Sequence, residues 1–176
     1  MLKIVLYIAA SKDGFIADKD GGIKWLDKYS GGREDYGYAD FFSTIDAIVF
    51  GKNTYNQVIG FGPWVFPNKK SYVFADANTK PVHKNIEIIT TDVVEFIKKA
   101  QAAGVKRLWL MGGAQLIDSF YKLGFIDEYI ITIMPTRLGA GIPLTPAIFY
   151  ANGLRLIEET PFSPSGIIQK RYVTRA

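Results

Sequence analysis

The segment Arg107-Leu-Trp-Leu-Met-Gly-Gly-Ala-Gln-Leu-Ile117 sets the tightest limit on how this chain folds. An apolar run stops abruptly at Gly112-Gly113, and helical spacing begins directly after it. That order describes a buried strand feeding a helix through a turn bare of side chains. The free amides and the positive dipole end of such a helix start face whatever approaches, and phosphate is the preferred visitor. Taken alone, the turn equally suits a tight connection with no ligand. It is neither a GxGxxG fingerprint nor a P-loop.

The rest of the chain repeats this grammar. Leu2–Ala10 is continuously apolar, as a strand buried on both faces should be, and Phe15-Ile16-Ala17 follows the Asp13-Gly14 turn. Asp35–Thr44 is expected as a helix with an aromatic face, Asp46–Phe50 as a strand, and the residues from Gly51 to about Ile59 as a short helix. Strands are expected at Lys70–Ala75 and Ile86–Ile89. Val93–Ala102 carries helical spacing behind the Thr90-Thr91-Asp92 cap and stops at Gly104. Arg107–Met111 is the strand of the first segment, and Ala114–Leu123 its helix. Asp127–Met134 is a further strand, while Leu154–Thr160 and Ile167–Thr174, separated by Pro161, Pro164 and Gly166, suggest a hairpin. Alternating strands and helices with continuously apolar strands mean an α/β fold with a largely parallel sheet and an antiparallel edge. No linker or repeat interrupts residues 1–176, so one domain is expected.

Composition narrows the chemistry. The net charge of +4 suits a small anionic ligand, but Lys and Arg are scattered, so nucleic acid is not an expected partner. There is no cysteine, which excludes disulfides, zinc-thiolate sites and thiol nucleophiles. His83 is the single histidine and follows Pro81-Val82 in a turn-like stretch, so neither a Ser-His-Asp triad nor a metal site is expected. The N-terminal apolar run is short, contains Lys3 and lacks a cleavage pattern. No stretch approaches the roughly 20 residues of a membrane span, and a cytoplasmic location is expected.

Gly51-Lys52-Asn53-Thr54 offers a second strand-to-helix turn. Lys52 would meet a phosphate as a cation and Thr54 as a hydroxyl donor. Alternatively, Asn53 caps a surface helix and Lys52 is solvated. Two donor-rich helix starts together suit the two phosphates of a dinucleotide, at the strand ends where α/β sheets bind ligands.

With these segments in view, a family resemblance emerges. Ala9-Ala10-Ser11-Lys12-Asp13-Gly14-Phe15-Ile16-Ala17 resembles the first-strand signature of the dihydrofolate reductase superfamily. Phe50-Gly51-Lys52-Asn53-Thr54-Tyr55 resembles its Gly-Arg-x-Thr-[Trp/Tyr] helix start, and Met111-Gly112-Gly113-Ala114-Gln115-Leu116 its second glycine turn. The Asp-Gly-[Phe/Tyr]-Ile-Ala wording is closer to the branch similar to the C-terminal reductase domain of bacterial bifunctional riboflavin biosynthesis proteins. The zinc deaminase ligands of those proteins, H-x-E and P-C-x-x-C, are absent, which suits a stand-alone reductase domain.

The resemblance implies a three-layer α/β/α fold around an eight-stranded sheet, and hydride transfer from NADPH to a small polar substrate. That substrate would be similar to a pyrimidine ribosyl phosphate or a pteridine. Gly51, Lys52, Asn53 and Thr54 would cradle the pyrophosphate and adenosine side, with Lys52 in place of the family's usual arginine. Gly112, Gly113, Ala114, Gln115 and Leu116 would meet the pyrophosphate and nicotinamide ribose, Ala10 and Ile16 the nicotinamide, and Ala75 the adenosine. Asp76 beside it is unfriendly to a 2′-phosphate, which leaves NADH open. Asp13, Trp25 and Thr132 match substrate-side positions, although Asp13-Gly14 is also ordinary turn chemistry and Trp25 equally a loop anchor. Asp35 either fixes a ring and assists proton delivery or only complements a helix dipole. A homodimer is implied as well, with Ile130–Met134 and Phe149-Tyr150 as the offered surface. The other reading is a nucleotide-binding sensor or scaffold without turnover.

Overall fold

A computed structural model describes residues 1–32 and 34–175. In chain order the first elements are β1 (Lys3–Ser11), β2 (Phe15–Ala17), a 3-10 helix (Lys24–Tyr29), α1 (Tyr38–Thr44), β3 (Ala47–Gly51) and α2 (Lys52–Gly60). Next come β4 (Lys70–Phe74), β5 (Ile86–Ile89), α3 (Val93–Ala102), β6 (Arg107–Gly112), α4 (Ala114–Lys122) and β7 (Glu128–Met134). The chain closes with β8 (Ile142–Pro143), α5 (Pro146–Phe149), β9 (Leu154–Phe162) and β10 (Ile167–Thr174). Eight strands form one sheet in the order β5-β4-β3-β6-β1-β7-β10-β9, and β2 pairs with β8 in a small second sheet. This is the dihydrofolate reductase-like α/β fold.

Two compact units divide the chain. The first holds residues 1–6 and 44–126. Its strands are all parallel: β5 to β4, β4 to β3, β3 to β6, and the start of β1 to β6. Parallel neighbours need crossovers: α2 joins β3 to β4 and α3 joins β5 to β6, while residues 75–85 join β4 to β5 without a helix. In α3 the buried residues Val93, Phe96, Ile97 and Ala100 fall on one stripe, and the Asp92 side chain accepts a hydrogen bond from the Glu95 amide at 2.9 Å. Phe96 packs edge-on against Tyr72 and Phe74, with ring centroids 5.1 and 5.2 Å apart.

The second unit holds residues 7–43 and 127 onward. β7 pairs with β10 and β10 with β9, all antiparallel, so the expected hairpin is present. Between β2 and β8 the backbones nearly touch at Gly141. A Cβ there would collide with the Ala17 carbonyl oxygen and reach its carbonyl carbon at 3.2 Å.

One expectation is corrected here. The first helix begins at Tyr38, not Asp35, because Tyr36 (φ 54°) and Gly37 (φ 78°) take left-handed backbone that interrupts it. Asp35 stays outside as a cap, accepting from the Gly37 amide at 3.0 Å and the Ala39 amide at 2.9 Å. In the strand Ile130–Met134, Ile130, Ile131 and Met134 are at most 7% exposed and Ile133 is half-buried, and Ile131, Ile133 and Phe149 line one apolar pocket. The exposed apolar side chains of this unit include Tyr150, Leu156 and Ile157.

Candidate functional site

In the first unit, β3 and β6 each end in a glycine that passes straight into a helix. Gly51 caps α2 at φ −83°, ψ 161°, and Gly113 caps α4 at φ −79°, ψ −162°. Neither cap makes a side-chain hydrogen bond. These are ordinary extended angles, and Ser, Thr, Asp or Asn would serve the cap at least as well. By φ and ψ alone neither cap calls for glycine, whereas Gly112, at φ 120°, does. What the bare caps achieve is access to first-turn amides that have no partner within the helix.

The two turns lie against each other. A Cβ on Gly51 would sit 3.6 Å from the Gly113 nitrogen and 3.7 Å from the Gly112 oxygen. One on Gly113 would sit 3.2 Å from Thr54 Oγ1. The first turns of α2, with Asn53 and Thr54, and of α4, with Ala114, Gln115 and Leu116, thus start beside one another. Leu116 is buried, so its amide alone is useful there.

Lys52 departs from the expected free cation. Its ammonium is ion-paired with Asp76, just past the end of β4, and both side chains are exposed. The hydrogen bond and charge of Lys52 hold the Asp76 carboxyl below its usual range. Ala75 is half-buried, and its amide is spent on the Ile89 carbonyl at 3.2 Å.

The second unit contains a pocket of about 190 Å³. Tyr7, Tyr29, Tyr36, Asp35, Thr132 and Ser30 supply its polar lining; Ala9, Leu26 and Met134 its apolar part. Thr132 and Gln169 are direct cross-strand partners on β7 and β10. Gln169 Nε2 donates to Thr132 Oγ1 at 3.0 Å and to the Tyr36 carbonyl at 3.1 Å, and approaches the Tyr7 hydroxyl at 3.4 Å. The Tyr7 hydroxyl donates to the same Tyr36 carbonyl at 3.3 Å, while its ring stacks on Phe41 at 4.2 Å. Burial pushes the Tyr7 phenol up; the Gln169 bond opposes this and the Asp35 charge adds to it. The phenol is therefore neutral at pH 7.

Several expected residues sit elsewhere. Side chains on a strand alternate between faces, so Tyr7 and Ala9 line the pocket while Ala10 is fully buried. Any ligand contact from Ala10 is limited to its main chain. Ile16 is half-buried on β2. Trp25 lies in the 3-10 helix, but Leu26 and Tyr29, one turn of three residues apart, are the ones that line the pocket. The Trp25 indole nitrogen is buried without a hydrogen-bond partner.

Asp13 acts as a structural clamp, the turn chemistry that was the alternative to a substrate-side role. Its carboxylate accepts from the Ser11 hydroxyl at 2.6 Å, the Leu138 amide at 3.1 Å and the Gly139 amide at 2.8 Å. Desolvation opposes its ionisation, but these donors outweigh it and lower its pKa from 3.8 to about 2. A carboxyl that is more acidic when folded contributes stability above its unfolded pKa and loses it as pH falls toward the folded one. Asp13→Asn is thus expected to lower the urea midpoint at neutral pH. The gap to the parent should close between about pH 4 and 2; a constant gap across that range would refute the clamp.

Tyr7, Tyr29 and Gln169 were not singled out by sequence reasoning. Tyr7 looks like one more apolar strand residue. Gln169 gains meaning only from the register that sets it opposite Thr132.

The RibD C-terminal domain family model matches residues 2–160. The uncharacterized protein YwjB of Bacillus subtilis (strain 168) is 38% identical over 173 residues, covering 97% of each chain. The crystal structure of a protein assigned to riboflavin biosynthesis in Shewanella sp. PV-4 superposes with a TM-score of 0.86 at 27% identity, covering 99% of this chain and 100% of that one. Dihydrofolate reductase from Enterococcus faecalis, in complex with NADP(H) and RAB-propyl, shares the fold at a TM-score of 0.72 and 14% identity, covering 99% of this chain and 97% of that one. The glycine turns, the sheet order and the match along nearly the whole length agree: the chain belongs to the RibD C-terminal domain family, on a dihydrofolate reductase-like fold.

Proposed function

We propose that this protein is an NADPH-dependent reductase acting on a small polar substrate. One observation carries the reading: two helix starts capped by glycines lie side by side at Gly51 and Gly113. Paired bare amides with two helix dipoles fit the pyrophosphate of a dinucleotide. Thr54 adds a hydroxyl to that patch, and membership of a reductase family supports the same chemistry. When bound, NADPH supplies a hydride to the substrate, water supplies the accompanying proton, and NADP⁺ is released. The chain's own part is to orient: the two turns hold phosphates, and the pocket of Tyr7, Asp35, Tyr36 and Thr132 receives the substrate.

Quenching of the tryptophan fluorescence by NADPH is expected in the micromolar range, and no binding at millimolar cofactor would overturn the reading. Loss of NADPH absorbance with pteridines, pyrimidine ribosyl phosphates or small carbonyls tests turnover. A sensor or scaffold is favoured by one observation, namely that both Asp35 oxygens already hold backbone amides. Binding with no turnover on any compound would select that second reading.

The Lys52–Asp76 pair bears on cofactor choice. Asp76→Asn frees the ammonium and removes a negative charge. It is expected to tighten NADPH by about fivefold, the scale of an exposed charge interaction, with NADH unchanged. Equal effects on the two cofactors would exclude a role at the 2′-phosphate.

A further inference from the structure

We propose that Gln169 is the positioning residue of the Tyr7–Tyr36 pocket: its amide nitrogen holds Tyr36 in left-handed backbone and so fixes Asp35 at the pocket's rim. The inference rests on the reductase reading only in taking that pocket as the substrate's.

The rim is a turn with an uncommon backbone. Tyr36 stands at φ 54° and Gly37 at φ 78°, two left-handed residues in succession. Glycine adopts that backbone freely, but a tyrosine keeps it only where the surroundings over-determine it. Restraint comes from β10, β1 and β9. The Tyr36 carbonyl accepts from Gln169 Nε2 on β10 at 3.1 Å and from the Tyr7 hydroxyl on β1 at 3.3 Å. Its ring stands edge-on to Phe162 of β9, with centroids 5.2 Å apart and planes at 88°. Within the turn, Glu34 Oε1 accepts from the Tyr36 amide at 3.0 Å, while the Asp35 oxygens hold the Gly37 and Ala39 amides. Fixing the Tyr36 main chain therefore fixes Asp35, the lining residue directly before it.

The chemistry calls for glutamine. A carbonyl oxygen only accepts, so the end of the Gln169 amide that faces Tyr36 is the nitrogen. That nitrogen carries two hydrogens, and two acceptors stand at bonding distance: the Tyr36 carbonyl and Thr132 Oγ1 at 3.0 Å. The Tyr7 hydroxyl, at 3.4 Å, is an outer contact. The amide oxygen of Gln169 lies toward the turn, 3.9 Å from where a Cβ on Gly37 would stand. Register makes the reach possible, because Gln169 sits opposite Thr132 on β7 and Thr160 on β9, in the middle of the pocket face. One side chain thus ties the turn before α1 to the sheet. Leucine would fill its volume without a donor, and glutamate would set oxygen against oxygen.

Amide hydrogen exchange followed residue by residue by NMR tests this on the full chain, in the parent, Gln169→Leu and Gln169→Glu. At neutral pH both variants are expected to lose about 10-fold protection at Gly37 and Ala39, together with the ring-current shift between Tyr36 and Phe162. The ladder amides of β7 and β10 should keep the parent's rates. In Gln169→Glu, protonating the new carboxyl restores one O–H donor. Lowering the pH from about 8 to about 5 should then recover protection at Gly37 in that variant, but not in Gln169→Leu. Among the described residues, the titratable neighbours are Tyr7 on β1, Glu34, Asp35 and Tyr36 in the turn, Tyr38 on α1, and Arg171 with Glu128 and Glu158 along the sheet. All of them are common to the three proteins, so the parent is the reference at each pH. Unchanged protection at Gly37 and Ala39 in both variants overturns the proposal. Equal loss along the β7–β10 ladder overturns it too, since Gln169 would then serve only the sheet. Tryptophan quenching by NADPH should be the same in all three; a parent that binds no NADPH would count against the reductase reading and leave the exchange result standing.

Discussion

Gly51→Val is expected to weaken NADPH binding by about 100-fold, or about 2.7 kcal/mol, while leaving the protein folded. The angles of Gly51, φ −83° and ψ 161°, suit a β-branched residue, so no backbone strain is introduced. The nearest atoms to a new Cβ, the Gly113 nitrogen and Gly112 oxygen, stand at ordinary contact distances of 3.6 and 3.7 Å. Valine's methyl groups would nevertheless cover the amides at both helix starts. Equilibrium unfolding should therefore change by less than about 1 kcal/mol, since losing glycine also reduces the entropy of the unfolded chain. The separation of these two readouts is the point of the test. Unchanged NADPH affinity would remove the patch from the cofactor site, and a collapse of stability would show that glycine serves packing there.

The largest structural effect is expected at Gly141. Alanine there drives its methyl group into the Ala17 carbonyl oxygen and to within 3.3 Å of the Asp18 Cα. Overpacking commonly costs 1–3 kcal/mol when side chains can move aside. Here the obstacle is backbone on a paired strand, since Ala17 is partnered with Ile142, so about 3 kcal/mol is expected. Urea unfolding reads it directly, and a loss under about 1 kcal/mol would mean the β2–β8 pairing yields easily. The glycine loop, otherwise featureless, thus sets how closely β8 can approach β2.

The sequence was legible where pattern and chemistry coincide. α3 is bounded as its Asp92 cap and apolar stripe indicate, and β10 spans Ile167–Thr174 as expected. The glycine turns stood out because two unlike punctuation marks, a strand end and a helix start, meet in them. The 3-10 helix, β8 and α5 were not visible, for each is too short to carry a period. The start of α1 was misplaced because aromatic spacing cannot register the left-handed turn at Tyr36-Gly37. The pocket was half-read: Asp35 and Thr132 were candidates, but Gln169 matters only through cross-strand register and Tyr7 only through the face of β1 that it shares with Ala9. The Lys52–Asp76 pairing likewise depends on the ends of two different strands and has no local signature.

The bare caps of α2 and α4 carry a consequence for the order of those helices. A serine or aspartate cap would accept from the first-turn amides permanently, as an internal competitor for any anion. Without it, a phosphate bound at the proposed site would complete each helix from outside. Cofactor occupancy and helix fraying then become one linked equilibrium, in which ligand stabilises the native state by RT ln(1 + [L]/Kd). Variants that strengthen these two caps in the search for a hardier protein would raise its melting temperature while closing the proposed binding site.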